Sequence, residues 1–193
     1  MKRIGVLALQ GAFREHVGII RGLGHEPVEV RKNEDLNDLH GIILPGGEST
    51  AIGKLLVDFE IRDTLSKRIE SGLPVWGTCA GMILLAKEIS GDAALHIPLM
   101  DIKVKRNAYG RQAGSFFCEA PVSGIAPDIK MPFIRAPYIE EVKEGVHILS
   151  VVNDNIVAAK QKNMLVTSFH PELTDDTRIH RYFIEKMAGS SSI

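Results

Sequence analysis

The chain has 193 residues, 45% of them hydrophobic, with 23 Lys+Arg against 24 Asp+Glu. That is the length of one domain with an ordinary globular composition, and the formal net charge of -1 excludes a nucleic-acid or anionic-membrane partner held by bulk electrostatics. Two cysteines, Cys79 and Cys118, are too few for a disulfide framework, so a reducing, cytoplasmic setting is expected, and no apolar run approaches the ~18 residues of a membrane span.

Met1-Lys2-Arg3 before an apolar run imitates a signal peptide faintly. The run is short and leads into Gln10 and Arg14-Glu15-His16, so Ile4–Leu9 reads as a first strand buried on both faces. Gly11 breaks it, and Phe13–Leu23 has helical spacing, ended by Gly24. Pro27–Val30 and Gly41–Leu44 read as strands, the latter stopped by Pro45-Gly46-Gly47. Ser49 is read as the N-cap of a helix over Thr50–Val57, followed by a helix over Ile61–Ile69 that Gly72 ends. Pro74–Trp76 is a fourth strand and Met82–Ile89 a further helix.

This alternation of strand and helix predicts an α/β fold: an open, mostly parallel sheet flanked by helices. After Gly91 the pattern changes. Met100–Val104, Ser115–Ala120, Phe133–Ala136, His147–Val152 and Ile156–Lys160 read as short strands without long helices between them, an antiparallel extension in the second half. Met164–Phe169 is one more strand and Asp175–Met187 a closing helix. One domain is expected over residues 1–188, with 189–193 as a frayed, Ser-rich tail.

Between strand and helix lies Gly77-Thr78-Cys79-Ala80-Gly81, a G-x-C-x-G pattern. It is the thiol counterpart of the G-x-S-x-G nucleophile elbow. A nucleophile on a sharp, strained turn needs neighbours without bulk, and glycines at minus two and plus two meet that need. The turn would lift the sulfur beyond the carboxyl end of the sheet, where open α/β folds bind ligands. The Ala80 amide is then a natural donor to an oxyanion. A helix N-terminus offers a thiolate roughly 0.3–1 kcal/mol, at best ~2, against an ordinary thiol value near ~8.5, so a base is still required. Cys118 lacks such a context and reads as packing.

Of seven histidines, His16, His25, His40, His96, His147 and His180 sit in polar or helical surroundings and read as surface residues. His170 differs, because it ends the apolar run Met164–Phe169 and is followed by Pro171 and Glu172. Residues i and i+2 of an extended chain point to one side, so Glu172 can hold the tautomer of His170 while the other ring nitrogen faces a thiol. Cys79, His170 and Glu172 therefore form a nucleophile, base and orienting group by role. The dissimilar contexts of the two cysteines argue against a zinc site, and neither metal nor cofactor is expected. Leu44-Pro45-Gly46-Gly47-Glu48-Ser49-Thr50 is a glycine turn without Walker or Rossmann spacing. It suits a second oxyanion donor, at Gly47.

The elbow, the Pro-Gly-Gly-Glu-Ser turn and the terminal His-Pro-Glu together resemble class I, triad-type glutamine amidotransferases, whose sheet is flavodoxin-like. Leu9–His16, Arg106–Gln112 and Phe133–Pro137 resemble, more narrowly, the glutaminase subunits of pyridoxal 5'-phosphate synthases. The resemblance spans nearly the whole chain. It implies that Cys79 attacks the side-chain amide of L-glutamine with His170 and Glu172 assisting, yielding glutamate and ammonia through a thioester. It also implies that Gly47, Glu48, Ser49, Arg106, Ile134 and Arg135 hold the glutamine, with Gln10 and Gly11 at the mouth of the site. The implied partner is a (β/α)8-barrel synthase in an assembly of twelve of each subunit, which receives the ammonia and makes pyridoxal 5'-phosphate. Two alternatives stay open at this point: a glutaminase serving another amidotransferase pathway, and a non-catalytic flavodoxin-like module with a redox cysteine.

Overall fold

The apolar runs of the first half pair side by side. In a computed structural model, which describes residues 1–107 and 114–188, the strands are β1 (Arg3–Leu7), β2 (Glu26–Val30), β3 (Gly41–Leu44), β4 (Val75–Thr78), β5 (Ala86–Ile89), β6 (Met100–Lys105), β7 (Ser115–Val122), β8 (Ala126–Ile134), β9 (Tyr138–Val142), β10 (His147–Val152), β11 (Asn155–Gln161) and β12 (Met164–Thr167). The helices are α1 (Phe13–Gly22), α2 (Ser49–Asp58), α3 (Ile61–Glu70), α4 (Ala80–Leu85) and α5 (Arg178–Tyr182), the last running into a wide π-type turn over Phe183–Met187. The expected tail at 189–193 and residues 108–112 of the Arg106–Gln112 segment lie outside the described residues.

The main sheet has ten strands in the order β2-β1-β3-β4-β12-β11-β9-β6-β5, with β10 paired to β11. From β2 to β12 every pairing is parallel, and β11 and β9 are antiparallel to their neighbours. The expected architecture is therefore present, with its antiparallel extension in the second half. β7 and β8 form a separate two-stranded hairpin.

Strand alternation divides the core between the two faces of the sheet. Ile42, Leu44, Val75 and Val166 pack with α2, α3 and α4 on one face. Ile43, Trp76 and Leu165 pack with Val17, Ile20, Ile179 and Phe183 on the other. Each fully buried Ile or Leu of these clusters contributes about 1.5–3 kcal/mol by leaving water.

Four expectations need correction. Residues Ala86–Ile89 continue no helix: they form β5, in parallel register with β6 through Ala86↔Met100 and Ile89↔Val104. A ladder partner overrides the helical propensity of Ala-Lys-Glu, which is a weak local preference. β8 begins at Ala126 rather than Phe133; Pro127 and Pro132 disguise it, and prolines are tolerated here because the strand belongs to a two-stranded hairpin. β9 was not expected at all, since Glu140 and Glu141 interrupt its apolar residues and only Ile139 is fully buried. Finally, Glu48 caps α2 in place of Ser49, accepting a hydrogen bond from the Ala51 amide at 2.9 Å.

Candidate active site

Four neighbouring parallel strands, β1, β3, β4 and β12, end on the same edge of the sheet. The segments that follow them carry Gln10 and Gly11, Gly46 to Ser49, Cys79, and His170. These residues, with Ala80, Arg106, Ile134 and Arg135, line one cleft of about 570 Å³. Every site residue expected from the sequence except Glu172 faces this cleft, and Glu172 is buried behind His170. Asn107, Ile83 and Leu173 also line it and had no signal of their own in the sequence.

Cys79 sits at φ 49° and ψ -102°, outside the regions that an L-residue ordinarily adopts. The two flanking glycines permit this turn by steric means. A Cβ on Gly77 would lie 2.5 Å from the Gly81 carbonyl carbon, and one on Gly81 would lie 2.1 Å from the Leu44 carbonyl oxygen. The Cys79 amide donates to the Thr167 carbonyl at 2.8 Å, tying the elbow to the adjoining strand β12. Cys79 is 7% exposed, buried yet lining the cleft.

His170 leaves the end of β12 and is fixed from both sides. Its amide donates to the Pro132 carbonyl of β8 at 2.9 Å, and its Nδ1–H donates to Glu172 Oε1 at 2.7 Å. Pro171 opens the short 3-10 turn Pro171–Leu173 that brings Glu172 round beneath the ring. Burial opposes charging of the imidazole, but its hydrogen bonds to Cys79 and Glu172 and the negative charge of both override burial. They hold His170 well above its ordinary value. The ring thus favours the imidazolium form next to the sulfur. By contrast, burial alone pushes the Cys118 thiol up, which makes it a poor nucleophile.

The charged residues expected to hold substrate are already organised. Arg106 donates to Glu48 at 3.2 Å, to the Thr50 hydroxyl at 3.0 Å and to Asp92 at 2.9 Å. The Gln10 side-chain oxygen accepts from the Glu48 amide at 2.9 Å. Arg135 has φ 45° and its amide donates to the Gly114 carbonyl at 2.5 Å. Asp92 was not singled out in the sequence, because its only mark is its proximity to Arg106 in space.

Two histidines read as surface residues are buried completely. His16 on α1 and His180 on α5 are 0% exposed and meet Trp76 in T-shaped contacts with ring centroids 5.5 and 4.8 Å away. Among the described residues, no group of three or more His, Cys, Asp or Glu is arranged to hold a metal ion, and no helix is long and apolar enough to cross a membrane.

Known proteins resemble this chain over nearly its full length. The family model for the SNO glutamine amidotransferase family matches residues 6–189. The chain is 60% identical over 188 residues to the pyridoxal 5'-phosphate synthase subunit PdxT of Clostridium botulinum, covering 96% of this chain and 97% of that one. It is 58% identical over 186 residues to the protein of the same name from Carboxydothermus hydrogenoformans, again covering 96% and 97%. A crystal structure of a glutamine amidotransferase superposes with a TM-score of 0.92 at 48% identity, covering 96% of this chain and 98% of that chain. The PurLQS structure from Thermotoga maritima matches with a TM-score of 0.73 at 18% identity, covering 96% and 99%, a likeness of fold alone.

Proposed function

Because the chain belongs to the SNO glutamine amidotransferase family, we propose that Cys79 is its nucleophile, His170 its general base and acid, and Glu172 the group that orients the imidazole. The chain is a glutaminase, the subunit of pyridoxal 5'-phosphate synthase that supplies ammonia for vitamin B6 synthesis. The observation that carries the residue roles is the joint placement of a strained Cys79 and a Glu172-braced His170 on one cleft.

The Cys79 sulfur attacks the side-chain amide carbon of glutamine, and the developing oxyanion is met by the backbone amides of Ala80 and Gly47. The His170 imidazolium then gives its proton to the amide nitrogen, and ammonia leaves behind a thioester. Neutral His170 next takes a proton from water, which attacks the thioester and releases glutamate. Glu172 keeps one ring nitrogen occupied, so that the other serves both steps. Gly47, Glu48, Ser49, Arg106, Ile134 and Arg135 hold the glutamine, and Gln10 and Gly11 border the mouth. Guanidinium groups suit the α-carboxylate and carboxylate or carbonyl oxygens suit the α-ammonium.

Ammonia set free in neutral water is protonated and lost as a nucleophile, so transfer is sheltered by a (β/α)8-barrel synthase subunit docked on this one, in an assembly of twelve of each. Two unpaired cysteines fit work in the cytoplasm. A glutamine-analogue electrophile, applied with the synthase subunit present, tests the reading. The expected result is a mass adduct on Cys79, and its absence would sink the assignment. Cys79→Ala is expected to abolish synthesis from glutamine while leaving synthesis from added ammonium salts intact.

A further inference from the structure

Behind the Cys79–His170–Glu172 set the titratable groups continue inward. Glu172 uses Oε1 for His170. Its other oxygen, Oε2, is fully buried and makes no hydrogen bond among the described residues. A buried carboxylate oxygen without a partner is costly, because it has given up water and gained nothing in exchange. His16 Nε2 stands 3.6 Å from it, longer than a hydrogen bond but close enough for an N–H dipole to stabilise the charge. The Thr78 hydroxyl lies 3.5 Å from the same nitrogen. The far side of the ring, His16 Nδ1, is 2.9 Å from His180 Nε2.

Two proton arrangements satisfy the His16–His180 contact, and they differ in what they present to Glu172. Burial disfavours a positive charge on either ring, so each carries one N–H. If His16 holds its proton on Nδ1, its Nε2 lone pair faces a carboxylate oxygen. His180 Nδ1, which has no hydrogen-bond partner, must then be an orphaned N–H donor. If His180 instead donates from Nε2 to His16 Nδ1, both conflicts vanish. His16 then turns an N–H toward Glu172, and the unpartnered His180 Nδ1 is merely an idle acceptor. Electrostatics and hydrogen-bond satisfaction select the second arrangement.

We propose that His16 is a positioning residue: its Nε2–H holds the second oxygen of Glu172, and so keeps the carboxylate, and through it the His170 ring, aimed at Cys79. His180 sets the tautomer that makes this possible. The packing of α1 and α5 against Trp76 is thereby connected to the chemistry. The inference rests on the proposed roles of Cys79, His170 and Glu172, but it concerns a residue that does not line the cleft and touches no substrate.

The test compares His16→Leu with His16→Gln in glutamine hydrolysis, each with the synthase subunit bound and its melting checked. Leucine fills space without a donor, whereas glutamine keeps an N–H at a similar reach. The expected outcome for leucine is a kcat lower by roughly 10–100-fold, the range lost with groups that orient a functional imidazole, at unchanged KM for glutamine. His16→Gln is expected to restore most of that loss. A packing role alone predicts the reverse order, with leucine the better substitute, and that order overturns the proposal, as does a leucine variant with wild-type kcat. Should the leucine variant not fold, imidazole nitrogen NMR of the unaltered chain decides. His16 is expected with Nε2 protonated and Nδ1 bare, and the opposite tautomer overturns the proposal. Wild-type chain that hydrolyses no glutamine, or Cys79→Ala that still does, refutes the parent assignment instead.

Discussion

Gly46 stands directly against His170, with no room for a side chain between them. A Cβ at Gly46 would lie 2.3 Å from His170 Cε1 and 3.0 Å from Nδ1. Gly46 cannot retreat easily, because its carbonyl accepts the Ala12 amide at 2.9 Å. Gly46→Ala therefore displaces the imidazole. A misplacement of about 1 Å can cost on the order of 100-fold in rate, and a loss of that size in kcat is expected with the fold retained. Wild-type turnover in this variant, with circular dichroism matching the parent, would contradict the assignment of His170.

A methyl group at Gly81 meets backbone rather than a movable side chain, 2.1 Å from the Leu44 carbonyl oxygen. Strand β3 must shift or the elbow must open. Gly81→Ala is expected to destabilise the chain by about 1–3 kcal/mol, as overpacking does. Urea denaturation reads this as a lowered midpoint at unchanged slope. A midpoint equal to that of the parent would show that the elbow is looser than its contacts indicate.

Acid should weaken the fold through its buried histidines. Burial holds His180 at about 3, against 6.5 in the unfolded chain, and lowers His16 in the same sense. Between those values the unfolded chain binds protons that the folded chain refuses. Stability therefore falls as pH drops below 6.5, by at most about 1.4 kcal/mol per pH unit for each group. His170 acts oppositely: its folded value is raised, so its contribution is complete below 6.5 and is lost as pH rises through the raised value. His180→Phe should flatten the acid limb of a stability-against-pH curve between pH 6 and 4. Equal acid slopes in the two proteins would show that His180 does not enter the balance.

Arg106 is tethered by Glu48, Thr50 and Asp92 at the rim of the cleft. Partly exposed ion pairs of this kind contribute little to stability, roughly 0–1 kcal/mol, so under the proposed function its placement serves binding. Arg106→Ala is expected to raise KM for glutamine about tenfold or more, the scale of a lost charge-assisted contact, while moving the melting temperature little. A change in kcat alone, with KM constant, would reassign it.

The Cys79 elbow, the His170–Glu172 pair and the glycine turn could be read from the sequence because each is a short local pattern at the end of an apolar run. Cys79 with its two glycines and His170 with Glu172 need no knowledge of distant packing. His16 and His180 were misread for the opposite reason. Each has a charged residue beside it in sequence, Glu15 and Arg181, and only the closure of α1 and α5 over Trp76 buries them. β5 and β8 were hidden by local signals, a helical run of Ala-Lys-Glu and two prolines, that a ladder partner overrode. Asp92 reaches Arg106 across 14 positions that no periodicity connects.

The pairing of Thr78 with Thr167 in β4 and β12, continued by the Cys79 amide to the Thr167 carbonyl at 2.8 Å, has a consequence for how such a protein can change over time. Cys79 follows that pairing directly, and His170 comes three residues beyond it with its amide held by the Pro132 carbonyl of β8 at 2.9 Å, so the ~4.8 Å strand spacing brings both to one edge of the sheet. Arg106 and Arg135, proposed to face the substrate, come from elsewhere: the first follows β6 in the main sheet and the second follows β8 of the separate hairpin. The side chains of those two arginines are thus mounted away from the Thr78–Thr167 rung, and can be exchanged by substitution while that rung stays in place.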